Sequence, residues 1–398
     1  MQISINANRC EPSPMRKFHP FAVKAEKEGK KIYHLNIGQP DLPTPTAYYD
    51  AVRAFADKTL AYEASPGMPV LIDAIRRYYQ TLDVYLDPRD ILITTGGSEA
   101  LLLTLLSILD PYTEVIVPEP YYPNYTTFVH AAGGVIRALP TSPDEGYRYA
   151  FRERIEKLIT NNTRAIMITN PGNPTGVVLT PEEMRLMVDI AKEHNLFIIG
   201  DEAYREFVYG GEPLQSLGQF EDAAENVVVL DTVSKRFSAC GARVGCIISR
   251  NKELMAHCMK MCQARLCVAT LDQIASAALY EVGPEYFAAV RDEYKARRDT
   301  CMEGLKKIPG VVCECPKGAF YIMAKLPIDD ADKFQIWLLE EFEDNGETVQ
   351  FSPAQSMYAT PGKGINEIRM AYVLEQHKLA RAMELLGIAL EKYNALNK

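Results

Sequence analysis

Four charged residues stand where the chain otherwise turns apolar or tight, and each could do chemistry there. Lys235 closes Asp231-Thr232-Val233-Ser234-Lys235, just after the apolar run Val227 to Leu230. An amine at a strand end can attack a carbonyl or carry a proton once its surroundings hold it neutral, whereas a free lysine with a pKa of about 10.4 stays protonated. Asp201 follows the apolar run Leu196 to Gly200 and opens Asp201-Glu202-Ala203-Tyr204. A buried, unpaired carboxylate is costly, so Asp201 asks for a cationic partner. Arg243 lies in Gly241-Ala242-Arg243-Val244-Gly245, where flanking glycines allow close approach to an anion. Arg369, in Glu367-Ile368-Arg369-Met370-Ala371, could grip a carboxylate through two parallel hydrogen bonds or simply pair with Glu367. Taken singly, each also has a plain reading as a helix cap, a solvated side chain or a surface ion pair.

Two loops add polar groups. Thr95-Gly96-Gly97-Ser98-Glu99-Ala100 joins an apolar run to a leucine-rich helix. Its small residues permit a tight turn, and the free N–H groups of a helix start can hold a phosphate with help from the Ser98 hydroxyl. The same residues read equally as a Ser98 helix cap, or as a nucleophile elbow lacking its last glycine. Asn170-Pro171-Gly172-Asn173-Pro174-Thr175-Gly176 is a turn by composition, and its two asparagines are the part a bland loop does not explain.

The elements that must carry these groups can be read from the apolar pattern. Strand-like runs at Ile91 to Thr95, Glu114 to Val117, Val135 to Leu139, Ala165 to Thr169, Leu196 to Ile199, Val227 to Leu230 and Val244 to Ser249 are mostly separated by helix-length segments. That alternation predicts a mainly parallel, helix-covered sheet, which binds ligands at the carboxyl ends of its strands. A helical stretch follows from Glu253 to Lys307 with a break near Gly283-Pro284. Short strands at Val311 to Cys315, Ala319 to Ala324, Thr348 to Ser352 and Ile368 to Val373, then a helix from Lys378 to Tyr393, predict a smaller α+β unit. The first thirty residues read as an arm, with three prolines, and an amphipathic helix over the charged run Lys24 to Lys31.

Composition narrows the partners. In 398 residues, 43 basic against 52 acidic side chains leave a formal charge of −9, which argues against nucleic acid and for a small-molecule partner. There is no basic-then-apolar leader and no apolar run of the roughly 20 residues a bilayer crossing needs, so a cytoplasmic protein without a membrane partner is expected. Nine cysteines with no Cys-x-x-Cys pair predict reduced, mostly buried thiols and no metal site; Cys258 and Cys262, near His257, read as packing.

From Ser13 to Tyr393 the ordered set of motifs resembles the fold type I, class I/II pyridoxal phosphate-dependent aminotransferases, in the aspartate/aromatic branch. The likeness rests on Gly38-Gln39-Pro40-Asp41, Tyr62 with Gly67, Gly96-Gly97-Ser98, Pro120-Tyr121-Tyr122-Pro123, Asn170 to Gly176, Asp201 to Tyr204, Ser234-Lys235, Arg243 and Arg369. It implies a three-layer α/β fold with a mainly parallel central sheet in a large cofactor-binding domain (46–295). It also implies a smaller α+β domain built from the N-terminal segment (1–45) and the C-terminal one (296–398).

The resemblance further implies a role for each residue. Lys235 would form the Schiff base and carry the α-proton; Asp201 would pair with the pyridine nitrogen; Asn173 and Tyr204 would bond the phenolic oxygen; Tyr122 would stack on the ring. The phosphate would rest on the N–H groups of Gly97 and Ser98, the hydroxyls of Ser98, Thr232 and Ser234, and Arg243, with Tyr62 reaching the neighbouring subunit's phosphate in a homodimer. Arg369, with Gly38 and Asn173, would hold the α-carboxylate of an amino acid or 2-oxo acid, the usual acceptor being 2-oxoglutarate in a ping-pong cycle. Tyr122 stands where aspartate aminotransferases commonly carry tryptophan, Ala354 near Pro353 where many relatives carry glycine, and only Arg265 offers itself for a side-chain carboxylate. Phe320 and Tyr321 read as pocket wall or core. Rival readings are a pyridoxal phosphate-dependent lyase or decarboxylase on the same scaffold, a serine hydrolase using Ser98 with a later histidine, and a cofactor-binding regulator.

Overall fold

The computed structural model describes residues 1–210 and 214–396. Its strands, in chain order, are β1 (Lys31–His34), β2 (Ile91–Thr94), β3 (Glu114–Pro118), β4 (Val135–Leu139), β5 (Thr163–Thr169), β6 (Phe197–Asp201), β7 (Val227–Thr232), β8 (Gly245–Ile248), β9 (Tyr321–Lys325), β10 (Glu347–Gln350), β11 (Ser352–Pro353) and β12 (Glu367–Ala371). Seven of them form one sheet in the order β2-β8-β7-β6-β5-β3-β4. The five from β7 to β4 run parallel, and β8 lies antiparallel between β2 and β7. Every expected central strand is present.

Alternation along these strands explains the layers. Ile166 and Ile168 of β5, Ile198 of β6 and Val227 and Val229 of β7 enter one apolar core, while Ala165 and Met167, Ile199, and Val228 and Leu230 enter the core on the other face. Both faces are therefore covered, which is why the strands are apolar at nearly every position instead of every second one. The helix Gly96–Ile108 packs on β7 and β8, and the helix Pro181–Glu193 packs on β6. Thr180 starts the latter with a capping box to Glu183, behind Pro181 at the first helical position.

A separate core gathers Tyr33 and Leu35 from the N-terminal segment with β9, β12 and the helices Ala331–Glu340 and Gln376–Leu396. β1 pairs in parallel with β10, so the two chain ends share this unit, and β11-β12-β9 form its antiparallel sheet.

Three local expectations change. β1 replaces the end of the anticipated helix over Lys24 to Lys31, because the helix His19–Lys27 stops before Gly29, whose φ is +93°. Val311 to Cys315 forms only one bridge, Val312 to Lys325, instead of a strand. The long helical stretch breaks twice, into Lys252–Arg265, Thr270–Leu279 and Pro284–Leu305. The anticipated boundary at 295/296 falls inside the last of these helices, which carries Tyr286 and Phe287 against the sheet's core and Val290, Tyr294 and Leu305 into the other. All nine cysteines are free, and four of them, Cys246, Cys258, Cys262 and Cys301, are buried.

Candidate active site

The carboxyl ends of β5, β6 and β7 bring the singled-out residues together. Asp201 is the last residue of β6, and Thr232 is the last of β7 and caps the four-residue helix Val233–Arg236 that carries Lys235. Lys235 Nζ donates to Gly38 O at 2.9 Å, so the lysine points across to the N-terminal segment and not into solvent.

Asp201 is half-buried, and its carboxylate accepts from Tyr125 Oη at 2.7 Å and from Ala203 N at 3.1 Å. Burial pushes its pKa up, against the pull of these two hydrogen bonds. The cationic partner expected from the sequence does not come from the chain: no ion pair reaches Asp201 among the described residues. A protonated ring nitrogen fits that position, because it would supply the missing charge to a carboxylate already desolvated.

Beside it, Asn173 Nδ2 lies 3.5 Å from Tyr204 Oη, and Asn173 Oδ1 accepts from Arg369 Nη1 at 3.2 Å. Arg369 sits in the middle of β12, 2% exposed, and donates to Asn36 O at 3.1 Å and to Ser352 Oγ at 3.4 Å. The Glu367 carboxylate accepts from Tyr147 and Tyr358. Burial raises the Tyr122 phenol, whose Oη accepts from Asn124 Nδ2 at 2.7 Å and whose ring stands edge-on to that of Tyr125 at 5.5 Å.

A few residues away lies a cradle of the right chemistry for a phosphate. Gly96 has φ +73°, and a Cβ there would come within 2.4 Å of Arg243 Nη2, so only glycine lets the guanidinium sit on the helix start. A Cβ on Gly245 would come within 2.7 Å of Gly97 N, which brings β8 equally close. Thr232 Oγ1 and Ser234 Oγ, 2.8 Å apart, line the same corner, and Ser98 is exposed in the first helical turn. A dianion is matched here by a helix N-terminus, an arginine and hydroxyls.

The chain matches the family model described as "Aminotransferase class I and II" over residues 30–353. It belongs to the class I and II aminotransferases. It is a pyridoxal phosphate-dependent enzyme that transfers amino groups, as members of this family do. It is 29% identical over 395 residues to a probable aspartate/prephenate aminotransferase of Aquifex aeolicus, covering 98% of this chain and 99% of the relative. Among solved structures, a single mutant of the Thermus thermophilus aspartate aminotransferase matches with TM-score 0.89 at 27% identity, over 98% of this chain and 100% of the other. An alanine aminotransferase from Pyrococcus furiosus matches with the same TM-score at 29% identity and the same coverage. One scaffold thus serves relatives named for different amino acids.

The structure also places residues that the sequence reading left aside. Tyr125, three residues after Tyr122 on the helix Asn124–Ala131, is 1% exposed and bonds both Asp201 and Thr169. Tyr122 lies before that helix and meets the Tyr125 ring edge-on at 5.5 Å, and nothing in the local sequence marked Tyr125 apart from an ordinary core aromatic. Arg265 is held by Ile93 O at 3.0 Å and lies against Glu99, so within its own chain it is not aimed at a substrate. Tyr62 is 81% exposed and lies outside its own chain's site. The hydrolase reading fails: His130, His194, His257 and His377 engage Arg9 O, Glu156, Lys260 and Glu375, and among the described residues no histidine is bonded to Ser98.

Proposed function

We propose that the protein transfers the α-amino group of an L-amino acid to a 2-oxo acid, 2-oxoglutarate being the acceptor, by a ping-pong cycle centred on Lys235. The observation that carries this reading is the convergence of Lys235, Asp201, Tyr204, Asn173 and Arg369 at one set of strand ends beside the Gly96-Gly97-Arg243 cradle. Pyridoxal phosphate supplies an aldehyde that takes up the amino group and a protonated ring that withdraws electrons from the substrate's α-carbon.

The chain's residues do the rest. Gly97, Ser98, Thr232, Ser234 and Arg243 hold the phosphate, and Lys235 Nζ holds the aldehyde end at rest. Asp201 keeps a proton on the ring nitrogen, which its own burial would otherwise drive onto the carboxylate. Tyr204 and Asn173 donate to the phenolic oxygen, and Tyr122 covers the ring face. Arg369 binds the substrate's α-carboxylate with Asn173 and the Gly38 backbone beside it. Lys235 Nζ, once free, would be the base that moves the proton of the substrate's α-carbon.

A homodimer with sites at the subunit interface accompanies this reading, with the partner subunit's Tyr62 reaching the phosphate. Exposed Leu60, Tyr62 and Val70 support it, as apolar side chains of one segment left open on a single chain. We further read the chain as a cytoplasmic enzyme of two domains, 46–295 and 1–45 with 296–398; among the described residues no helix is long and apolar enough to cross a membrane.

Incubation of the purified protein with single amino acids and 2-oxoglutarate tests the reading. Glutamate and the matching 2-oxo acid should form in equal amounts. Release of pyruvate and ammonia, or of carbon dioxide, without an acceptor would assign the scaffold to a lyase or decarboxylase instead.

A further inference from the structure

Tyr321 opens β9, in the core shared by the chain ends, and reaches into the site from there. Its hydroxyl lies 2.8 Å from Tyr204 Oη, and the Arg369 guanidinium stacks over its ring, 4.7 Å from the centroid. The same hydroxyl occupies the space beside Gly38: a Cβ on that glycine would lie 2.0 Å from Tyr321 Oη. Gly38 O in turn accepts from Lys235 Nζ. One side chain thus touches the partner of the phenolic oxygen, the carboxylate-binding arginine and the backbone that receives the lysine. A phenylalanine would fill the same volume and stack equally under Arg369, so packing alone does not account for the hydroxyl.

We propose that Tyr321 is a positioning residue for amino-group transfer: its hydroxyl donates to Tyr204 Oη and so turns the single Tyr204 proton toward the cofactor's phenolic oxygen. The inference rests on the role given above to Tyr204. A phenol has one proton, and Tyr204 Oη has two polar neighbours, Tyr321 Oη at 2.8 Å and Asn173 Nδ2 at 3.5 Å. The amide nitrogen can only donate. Were Tyr204 to donate to Tyr321, its proton would point away from the ring it is meant to serve. With Tyr321 as donor the proton is released forward, and a hydroxyl that accepts one hydrogen bond is polarised to give a stronger one. Burial, with Tyr321 alongside, holds the Tyr204 phenol well above its ordinary range, so the proton in question is present throughout neutral pH.

The test is Tyr321→Phe in the holoenzyme, which keeps the ring over Arg369 and removes only the hydroxyl. A donor on the phenolic oxygen lowers that oxygen's hold on a proton, so weakening Tyr204 should raise the pH midpoint of the cofactor's visible absorbance change by roughly half a unit or more. We expect kcat to fall several-fold while KM for the amino acid stays within about twofold, the arginine being still in place. In a Tyr204→Phe background the same substitution should move the midpoint no further. A Tyr321→Phe titration that overlays the wild type, or a shift that persists without the Tyr204 hydroxyl, overturns the proposal. Should Tyr321→Phe fail to fold, a fluorotyrosine at position 321, a stronger donor, should lower the midpoint, and an unmoved or raised one overturns it. Absence of any visible chromophore in the wild type would instead sink the reading of Tyr204 on which the inference stands.

Discussion

Tyr125 Oη donates to Asp201 Oδ2 at 2.7 Å from a helix on one side of the sheet, and with Ala203 N it hydrogen-bonds a half-buried carboxylate that, among the described residues, no cation approaches as an ion pair. The protein therefore holds Asp201 ready for a charge it does not itself supply. Tyr125→Phe removes one of the two bonds without changing the ring packing. It should cost about 1–2 kcal/mol in urea unfolding of the holoenzyme and weaken cofactor retention, measured by dialysis against apo-forming buffer. Unchanged retention would show that Tyr125 does not hold Asp201.

Asp201→Asn separates stability from function. Burial raises the folded-state pKa of Asp201 above its unfolded value of 3.8, so the carboxylate destabilises the apoprotein at neutral pH, and the loss is relieved as pH falls through the folded pKa. The amide variant should leave the apoprotein as stable at pH 7 as the wild type or more so, by thermal melting. Its kcat should drop on the order of 10²-fold or more, since a buried partner of a cation is gone.

Arg369 hydrogen-bonds through both terminal nitrogens, with Asn173 Oδ1, Asn36 O and Ser352 Oγ among its acceptors. A lysine offers one point charge in place of that fork. Arg369→Lys should raise KM for amino acid and 2-oxo acid alike by about 10²-fold, with kcat reduced less, in steady-state kinetics.

Behind the candidate site, Lys235 and Tyr204 are each followed by a buried arginine held in an ion pair. Arg236 follows Lys235 and pairs with Asp231, both side chains fully buried, while Arg205 follows Tyr204 and pairs with Glu202. Asp231 also accepts from Tyr79 Oη at 2.9 Å and Thr232 N at 2.7 Å. Arg236→Met leaves the Asp231 charge buried, and should cost about 3–5 kcal/mol in denaturant unfolding. Adding Asp231→Asn should recover part of it; a double variant no more stable than the single would contradict the pairing.

Acid should loosen the seam between the chain ends. Hydrogen bonds from Lys31 first, then Arg381 and Tyr33, lower the Glu347 carboxyl from 4.5 to about 2. A depressed acid contributes stability that is full above its unfolded pKa and is lost as pH falls through the folded one. The stability difference between wild type and Glu347→Gln should therefore shrink between pH 4.5 and about 2, and a constant difference across that window would contradict the assignment.

Much of this was legible in the sequence, for physical reasons. A parallel sheet covered on both faces must be apolar at nearly every strand position, and all seven central strands could be read from that. Asp201, Lys235 and Thr232 were visible as polar residues ending such runs. The roles of Tyr125 and Tyr321 were not: aromatic residues fill cores everywhere, and only the fold reveals that these two direct their hydroxyls at Asp201 and Tyr204. Likewise, β1 is four residues long and finds its partner, β10, more than 300 residues away, which no local pattern encodes.

The central claim is that the Lys235 amine is the covalent anchor of the cofactor. Borohydride reduction of the purified holoenzyme, followed by peptide mapping, reads it directly. The account predicts that a visible absorption band is lost on reduction and that the pyridoxyl group is recovered on Lys235, with neither seen in Lys235→Ala. A reduced adduct on another lysine, or a Lys235→Ala protein that keeps the band, would contradict it.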